Sequence, residues 1–448
     1  MADFINSTTS SKDVIIRRLV ILSSNGVVRD ITKIFQSIAI YEDIHSQGIS
    51  GSINLTDGND MIGDLELHGN ELLSISFGKP GEKESDGYSK TFRIYKVGDR
   101  EPEGNIQSYT VFFCSEEIIF SNQLSISRSF KDADYTTYVR NICNILKING
   151  LKLNYGNFEK SFGSNNIVLT RYKPFEAIDY FAKYAFNDNE SAFLFFENRD
   201  GFNFMSLERL FSRPTLTKLK YSTARLDMDQ TSAPFSLANE IQKFKFDSSF
   251  DVLKNTQTSS YSGRLFTLDL INQQYKKRDY SYATMNPKNM MDKTIPINDA
   301  KNRNDKGLHQ EFETEINFQM TNLEQKNSEY FLSKVQRPLS TNVERILMQR
   351  KMQLSMLENT TVECVVPGNT LYTVGYMVDF DMPAFTRNDA SNRLIDPFHS
   401  GKYLITAVRH YIAEGGRHTT ALRLAKNSSS ATYTRASNSD AYKKARSI

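Results

Sequence analysis

Along most of this chain apolar residues return at every second position, the period of a half-buried β-strand, rather than every third or fourth as in a helix. From Val14 to about Ser115 the β pattern is continuous. Val14-Ile15-Ile16 and Leu19-Val20-Ile21-Leu22 are branched apolar runs, Asn25-Gly26 is a hairpin turn signal, and mixed alternation follows from Ile31 to Ile44. Ser50 to Leu55 alternates small and apolar residues until Asp57-Gly58, and Leu72 to Phe77 alternates again before a polar loop, Gly78 to Gly87. A hairpin beginning at Phe92 closes the unit. A run of short strands with no convincing helix predicts a barrel or a sandwich.

The period changes after Phe120. Asp132 and Asp134 offer N-caps for a helix from about Tyr135 to Leu146, with Tyr138, Ile142, Ile145 and Leu146 on one face. A second helix opens at Lys173-Pro174, with Pro at its first position, Glu176 in its first turn, and Ile178, Phe181, Ala182 and Ala185 as its buried stripe. A hairpin across Asn198-Arg199-Asp200-Gly201 then joins Phe193–Glu197 to Phe202–Ser206. Between 213 and 350 the pattern weakens. Strands are expected at Glu240–Phe246, Leu265–Leu270 and Phe312–Phe318, helices at Asn327–Leu332 and Asn342–Met356, and a long exposed loop over Arg278–Lys306. Thr360 to Ala425 returns to β, and Asn427 to Ile448 reads as a polar tail.

Two distant stretches align without a gap. FRIYKVGDREPEGNIQSYTVFF from Phe92 matches YLITAVRHYIAEGGRHTTALRL from Tyr403, pairing Ile94 with Ile405, Val97 with Val408, Val111 with Leu422, Phe113 with Leu424, and Glu103-Gly104 with Glu414-Gly415. One chain therefore carries two versions of one β-unit on this reading, and three chains would present six similar units around an axis.

Composition narrows the function. At 448 residues the chain is too long for one core. A net charge of +3 argues against a dedicated nucleic-acid binder, which would carry a concentrated basic face, and Lys276-Lys277-Arg278 reads as a solvated turn. Cys114, Cys143 and Cys364 lie far apart among apolar neighbours and read as reduced, packed thiols. The N-terminal MADFINSTTSSKD has no apolar signal core, and no apolar run is long enough for a membrane span. No phosphate loop, nucleophile elbow or HExxH is present. The six histidines show no paired spacing, and His410 reads as a plain β-surface residue. Glu116-Glu117, taken as strand neighbours, point to opposite faces and cannot share a glycosidic bond. No catalytic, cofactor-binding or metal residue is assigned. Most of the 30 Phe and 22 Tyr read as core, with Tyr41 beside Glu42-Asp43 the more open to an interface role.

Four regions resemble the baseplate hub proteins of contractile-tailed bacteriophages and related injection machines: YEDIHSQGISGSINLTDGNDMI with LELHGNELLSISF; the helix region Ser129–Leu146 with KPFEAIDYFAKYAF and SAFLFFENRDGFNFMSL; SYSGRLFTLDL; and SGKYLITAVRHYI with HTTALRLAKN. The segment 278–350 departs from the pattern. The resemblance implies a β-rich α+β chain with two related antiparallel tube-like β-barrel domains and inserted α+β domains. Its divisions are a flexible arm 1–12, a first barrel 13–117, an α+β domain 118–212, a second barrel from 213–256 with 350–427, an inserted domain 257–349 and a flexible tail 428–448. It further implies a virion component of the tail baseplate, assembled in the host cytoplasm: a homotrimer stacked on the tail tube protein hexamer, holding the central spike protein, with wedge and tape measure proteins as further partners. DNA would pass through its lumen without specific binding, and neither membrane nor cofactor is involved. The competing readings are a tail-associated cell-wall hydrolase and a receptor-binding or wedge protein. The loops Gly78–Gly87 and Phe385–Pro397, which interrupt the two barrels, are the candidate interface segments.

Overall fold

The computed structural model describes residues 14–83, 86–148, 155–187, 191–221, 239–258, 260–269, 274–282, 291, 316–321, 343–382, 395–396 and 398–429. The expected arm, the helix at Asn327–Leu332, most of the 278–306 loop and the tail beyond Ser429 lie outside these residues.

The first region contains β1 (Ile15–Leu22), β2 (Val28–Asp30), β3 (Phe35–Asp43), β4 (Ser50–Asp57), the short α1 (Met61–Leu65), β5 (Leu72–Gly78), β6 (Tyr88–Glu103) and β7 (Ile106–Cys114). Alternation sets its inside: Ile38, Ile40, Ile53, Leu55, Leu73, Ile75, Phe92, Ile94, Val111 and Phe113 share one core, while Asn54 between two of them faces out.

A helical region follows, with α2 (Glu116–Gln123), β8 (Ile126–Ala133), α3 (Tyr135–Ile148), β9 (Tyr155–Phe158), β10 (Asn165–Tyr172), α4 (Pro174–Tyr184), β11 (Phe193–Asn198), β12 (Gly201–Ser206) and α5 (Leu207–Phe211). Glu116 and Glu117 thus start a helix rather than sit in a strand. Two acidic residues in the first turn suit the positive end of a helix, and that local chemistry outweighs the strand that precedes it. Both helices expected in this region form. In α4, Glu176 reaches back to the Lys173 backbone N–H at 3.3 Å. Every residue of β11 and β12 is buried, because the hairpin is covered on both faces. Phe193, Phe195, Phe202 and Phe204 pack into the aromatic core beneath α3 and α4, while Leu194, Phe196 and Met205 pack into the core of the last region.

The last region holds β13 (Thr215–Lys220), β14 (Lys243–Ser248), α6 (Val252–Gln257), β15 (Ser262–Asp269), β16 (Gln274–Ser281), β17 (Ile316–Thr321), α7 (Val343–Leu357), β18 (Thr360–Pro367), β19 (Met377–Asp381), β20 (Gly401–Ala413) and β21 (His418–Lys426). β15, β16 and β17 form a separate three-stranded sheet. Arg278–Ser281 belongs to β16 and pairs with β15, so it is strand and not loop. Ser428 and Ser429 are buried, so the start of the expected tail packs against the fold.

The remaining strands make one 13-stranded sheet, ordered β14-β18-β21-β20-β3-β4-β7-β6-β5-β1-β2, with β19 pairing β20 and β13 pairing β19. Two halves with one order are visible in it. The first runs β3-β4-β7-β6-β5-β1, the second β14-β18-β21-β20-β19-β13, and each is built on a long hairpin, β6–β7 or β20–β21. The hairpins share a bulge at one place: the register steps between Ile94 and Lys96 in β6 and between Ile405 and Ala407 in β20. The ungapped sequence match follows the structure through Gly98 and Arg409 and then slips. β6 carries a second bulge around Asp99, at φ 51, which the turn at Gly104 compensates by being one residue shorter than that at Glu414-Gly415-Gly416. The halves also differ at their ends, since β1 pairs β5 antiparallel whereas β13 pairs β19 parallel.

Candidate assembly edges and a buried polar junction

The halves join where β3 pairs antiparallel with the outer part of β20, from Asp43 opposite Ala407 to Ser37 opposite Ala413. β20 is free to accept β3 there because β19 covers only Gly401–Leu404. The seam is continuous, and Ile412 sits in the first core.

The same two kinds of edge recur without a described partner. β14 pairs β18 on one side only. β6 is covered by β5 from Tyr88 to Arg93, and beyond that only β7 pairs with it among the described strands. Lys243 and Lys245 on β14, and Glu101 and Glu103 on β6, are exposed. Phe250 and Leu253, just past β14, are each 71% exposed, and Tyr95 on β6 is 50% exposed. Between β3 and β14 the sheet face forms a groove of about 600 Å³ bounded by Tyr41, Lys245, Glu363, Arg409 and Arg423. The Arg409 guanidinium lies 5.6 Å from the Tyr41 ring and 5.2 Å from the Tyr411 ring. Tyr41, singled out from sequence, is therefore an exposed side chain on this face.

Beneath the seam the interior is polar. Glu42 of β3 is 2% exposed; its Oε2 accepts from Thr373 Oγ1 and, at 3.2 Å, from the Val374 N–H, while Oε1 has no partner. Burial pushes its carboxyl up to about 7 against those two bonds. Glu197 of β11 accepts from Ser115 Oγ at 2.5 Å and from the Ile49 N–H at 3.1 Å, and its other oxygen pairs with Lys90 of β6. Glu117 of α2 is raised to about 7 by burial and then by the charge of Glu197. Arg199, in the β11–β12 turn, ties the halves together: it donates to Thr370 O at 2.9 Å and to Asp86 O at 2.6 Å.

His410 is 1% exposed, which overturns its reading as a surface residue. It lies in phase with the buried Val408 and Ile412, and that alternation was the available signal. It also meets His418 across the hairpin, its Nδ1 3.2 Å from His418 Nε2, while its Nε2 lies 3.1 Å from Tyr372 O. The carbonyl can only accept, so His410 donates from Nε2 and accepts at Nδ1. His418 then donates from Nε2, which leaves its Nδ1 a bare acceptor, and that atom has no partner. Burial lowers His410 to about 4 and drives His418 well below its ordinary value. Two neutral, locked imidazoles are packing elements here, not an acid–base pair.

The remaining sequence-read segments stay apart from this junction. The thiols of Cys114, Cys143 and Cys364 are free and buried. Lys277 and Arg278 lie exposed on β16 in the separate sheet. The Gly78–Gly87 loop is held by Arg17, which donates to Lys83 O at 3.0 Å. Within Phe385–Pro397 only residues 395 and 396 are described. Among the described residues no group of three or more His, Cys, Asp or Glu is placed to hold a metal, and no helix is long and apolar enough to cross a membrane.

No protein-family model and no curated protein matches the chain. Solved structures do. A tail protein from Neisseria meningitidis MC58 is 12% identical, with 92% of this chain and 96% of that one covered at a TM-score of 0.51. The 43 kDa tail protein of prophage MuSo2 from Shewanella oneidensis is 11% identical, covering 92% and 98%, also at 0.51. The chain has the fold of these tail proteins. An Escherichia coli component of the type VI secretion system, 8% identical with 94% and 79% covered, aligns more loosely at 0.40.

Proposed function

We propose that this chain is the central hub of a contractile phage-tail baseplate: a homotrimeric adaptor that joins the hexameric tail tube to the trimeric central spike and lines part of the DNA channel. Its two sheet halves are the two tube-like barrels, and the helical region braces them from one side. The observation that carries this reading is the repeated strand order, β3-β4-β7-β6-β5-β1 against β14-β18-β21-β20-β19-β13. A chain holding one module twice presents six similar modules in three copies, the simplest way to match a threefold part to a sixfold one. The likeness to tail proteins over nearly the whole chain supports the setting. The purified chain mixed with hexameric tube protein should cosediment as one trimer per tube end. Failure to bind tube protein, with binding to a host glycan instead, would favour a receptor-binding protein; lysis of peptidoglycan in a zymogram would favour a hydrolase.

A further inference from the structure

The internal seam supplies a template for the contact between copies. β14 is the counterpart of β3: Ile38 faces Ile53 as Phe244 faces Cys364, and Ile53 faces Val111 as Cys364 faces Leu422. β6 is the counterpart of β20 by the shared bulge and hairpin register. Inside the chain the β3 edge is taken up by the outer part of β20. The β14 edge and the outer part of β6 are the same two surfaces, with no partner among the described strands.

We infer that β14 of one copy adds antiparallel to the outer part of β6 in the next copy, repeating between chains the β3–β20 seam within each chain. This deepens the adaptor reading, and rests on it only for closure into three.

The register can be carried across residue by residue. Ser37 faces Ala413 and Ala39 faces Tyr411. Lys243 and Lys245 stand where Ser37 and Ala39 stand, and Glu103 and Glu101 stand where Ala413 and Tyr411 stand. Lys243 therefore falls opposite Glu103, and Lys245 opposite Glu101. Residues directly opposite on an antiparallel pair share a face, and opposite charges there attract. The exposed Phe250 comes to the bulged Tyr95–Lys96 step, so two aromatics left open in the single chain meet at the end of the seam. Pro102 stands where Ile412 stands and has no N–H for the incoming strand, so this edge offers fewer backbone bonds than β20 does, and the charges select the register. A contact of unlike edges is head-to-tail; it makes a ring if the rotation closes and a filament if it does not.

The test uses full-length chain. Lys245→Cys copies mixed with Glu101→Cys copies should crosslink into dimers under mild oxidation, and neither variant alone should, since the native thiols are buried. Lys243→Glu with Lys245→Glu should weaken self-association roughly tenfold, as should Glu101→Lys with Glu103→Lys, and the fourfold variant should recover it. A trimer that gives no mixed crosslink and ignores charge reversal overturns this seam and leaves the adaptor standing. A wild-type chain that does not associate overturns the seam outright. A mixed crosslink with recovery in the fourfold variant, in particles that grow past three copies, upholds the seam and removes the trimer.

Discussion

The two sheet halves hold the same strands in the same order and solve one packing problem in two ways. At the position facing the second hairpin strand, the first half has Gly51 against Phe113, and the second has Val362 against Leu424. A Cβ on Gly51 would sit 2.2 Å from the Phe113 ring and 2.4 Å from Ala39 O. A large ring in one half thus demands no side chain opposite, and a smaller Leu in the other admits a Val. The module keeps its strand order and pairing, not its residues, which is why so few identities survive between the hairpins.

The strongest way to break the comparison is to move one half's solution into the other. Gly51→Val should destabilise the chain by about 3 kcal/mol in a urea melt, because the backbone oxygen of Ala39 cannot yield. Adding Phe113→Leu should return the part of that loss due to the ring and leave the part due to the Ala39 oxygen; no recovery at all would mean the positions are not equivalent.

Next in size is the pH response of the junction, where the halves contribute opposite signs. Glu42, on the first half, holds in the folded state a proton that the unfolded chain loses near 4.5, so its contribution declines as pH rises towards about 7. His410, on the second, stays neutral down to about 4 while the unfolded chain protonates near 6.5, so its contribution declines as pH falls through that window. Glu117, raised to about 7 as well, acts with Glu42, and His418, also lowered, acts with His410; the two signs offset between about 4.5 and 6.5, and above that window the carboxyls dominate. The groups that face Glu42 and modulate it are Lys90, Glu197 and Thr373. Wild type should therefore lose on the order of 1 kcal/mol or less between pH 6.5 and 8, and Glu42→Gln should remove a large part of that loss while exposing an acid-side decline. An unchanged slope in the variant would contradict the assignment.

Arg199→Ala should cost roughly 1 to 2 kcal/mol, since it removes the side-chain bonds to both loops from a partly buried site. Proteolysis near Gly87 should speed up before global unfolding does; equal rates would mean the turn does not brace the halves. The smallest effect is in the thiols. Burial raises Cys114 to about 11 and Cys364 to about 12, so a thiol reagent should label neither half until the chain unfolds. Fast labelling of one half alone would mark it as locally open.

Much of this was legible in the sequence because alternation is a local signal. Most strands of both halves, though not β13, the helices around Tyr138 and Phe181, and the hairpin at Asn198–Gly201 follow from period and turn chemistry. The phase of Glu42 with Ile38 and Ile40 already placed it inside, as that of His410 with Val408 did. What could not be read was non-local. The bond from Thr373 to Glu42 spans 331 residues, and the second bulge in β6 shifts the hairpin match by one residue with no trace in an ungapped alignment. Glu116-Glu117 stand in the first turn of a helix, where two carboxylates suit the positive helix end.

The central claim is that one module, folded twice, lets three chains imitate a ring of six. Averaged electron micrographs of the purified particle, with its mass measured in parallel, test this directly. The account predicts three chain masses in a ring of six near-equal lobes; a single chain, a dimer, or a ring with only three lobes would contradict it.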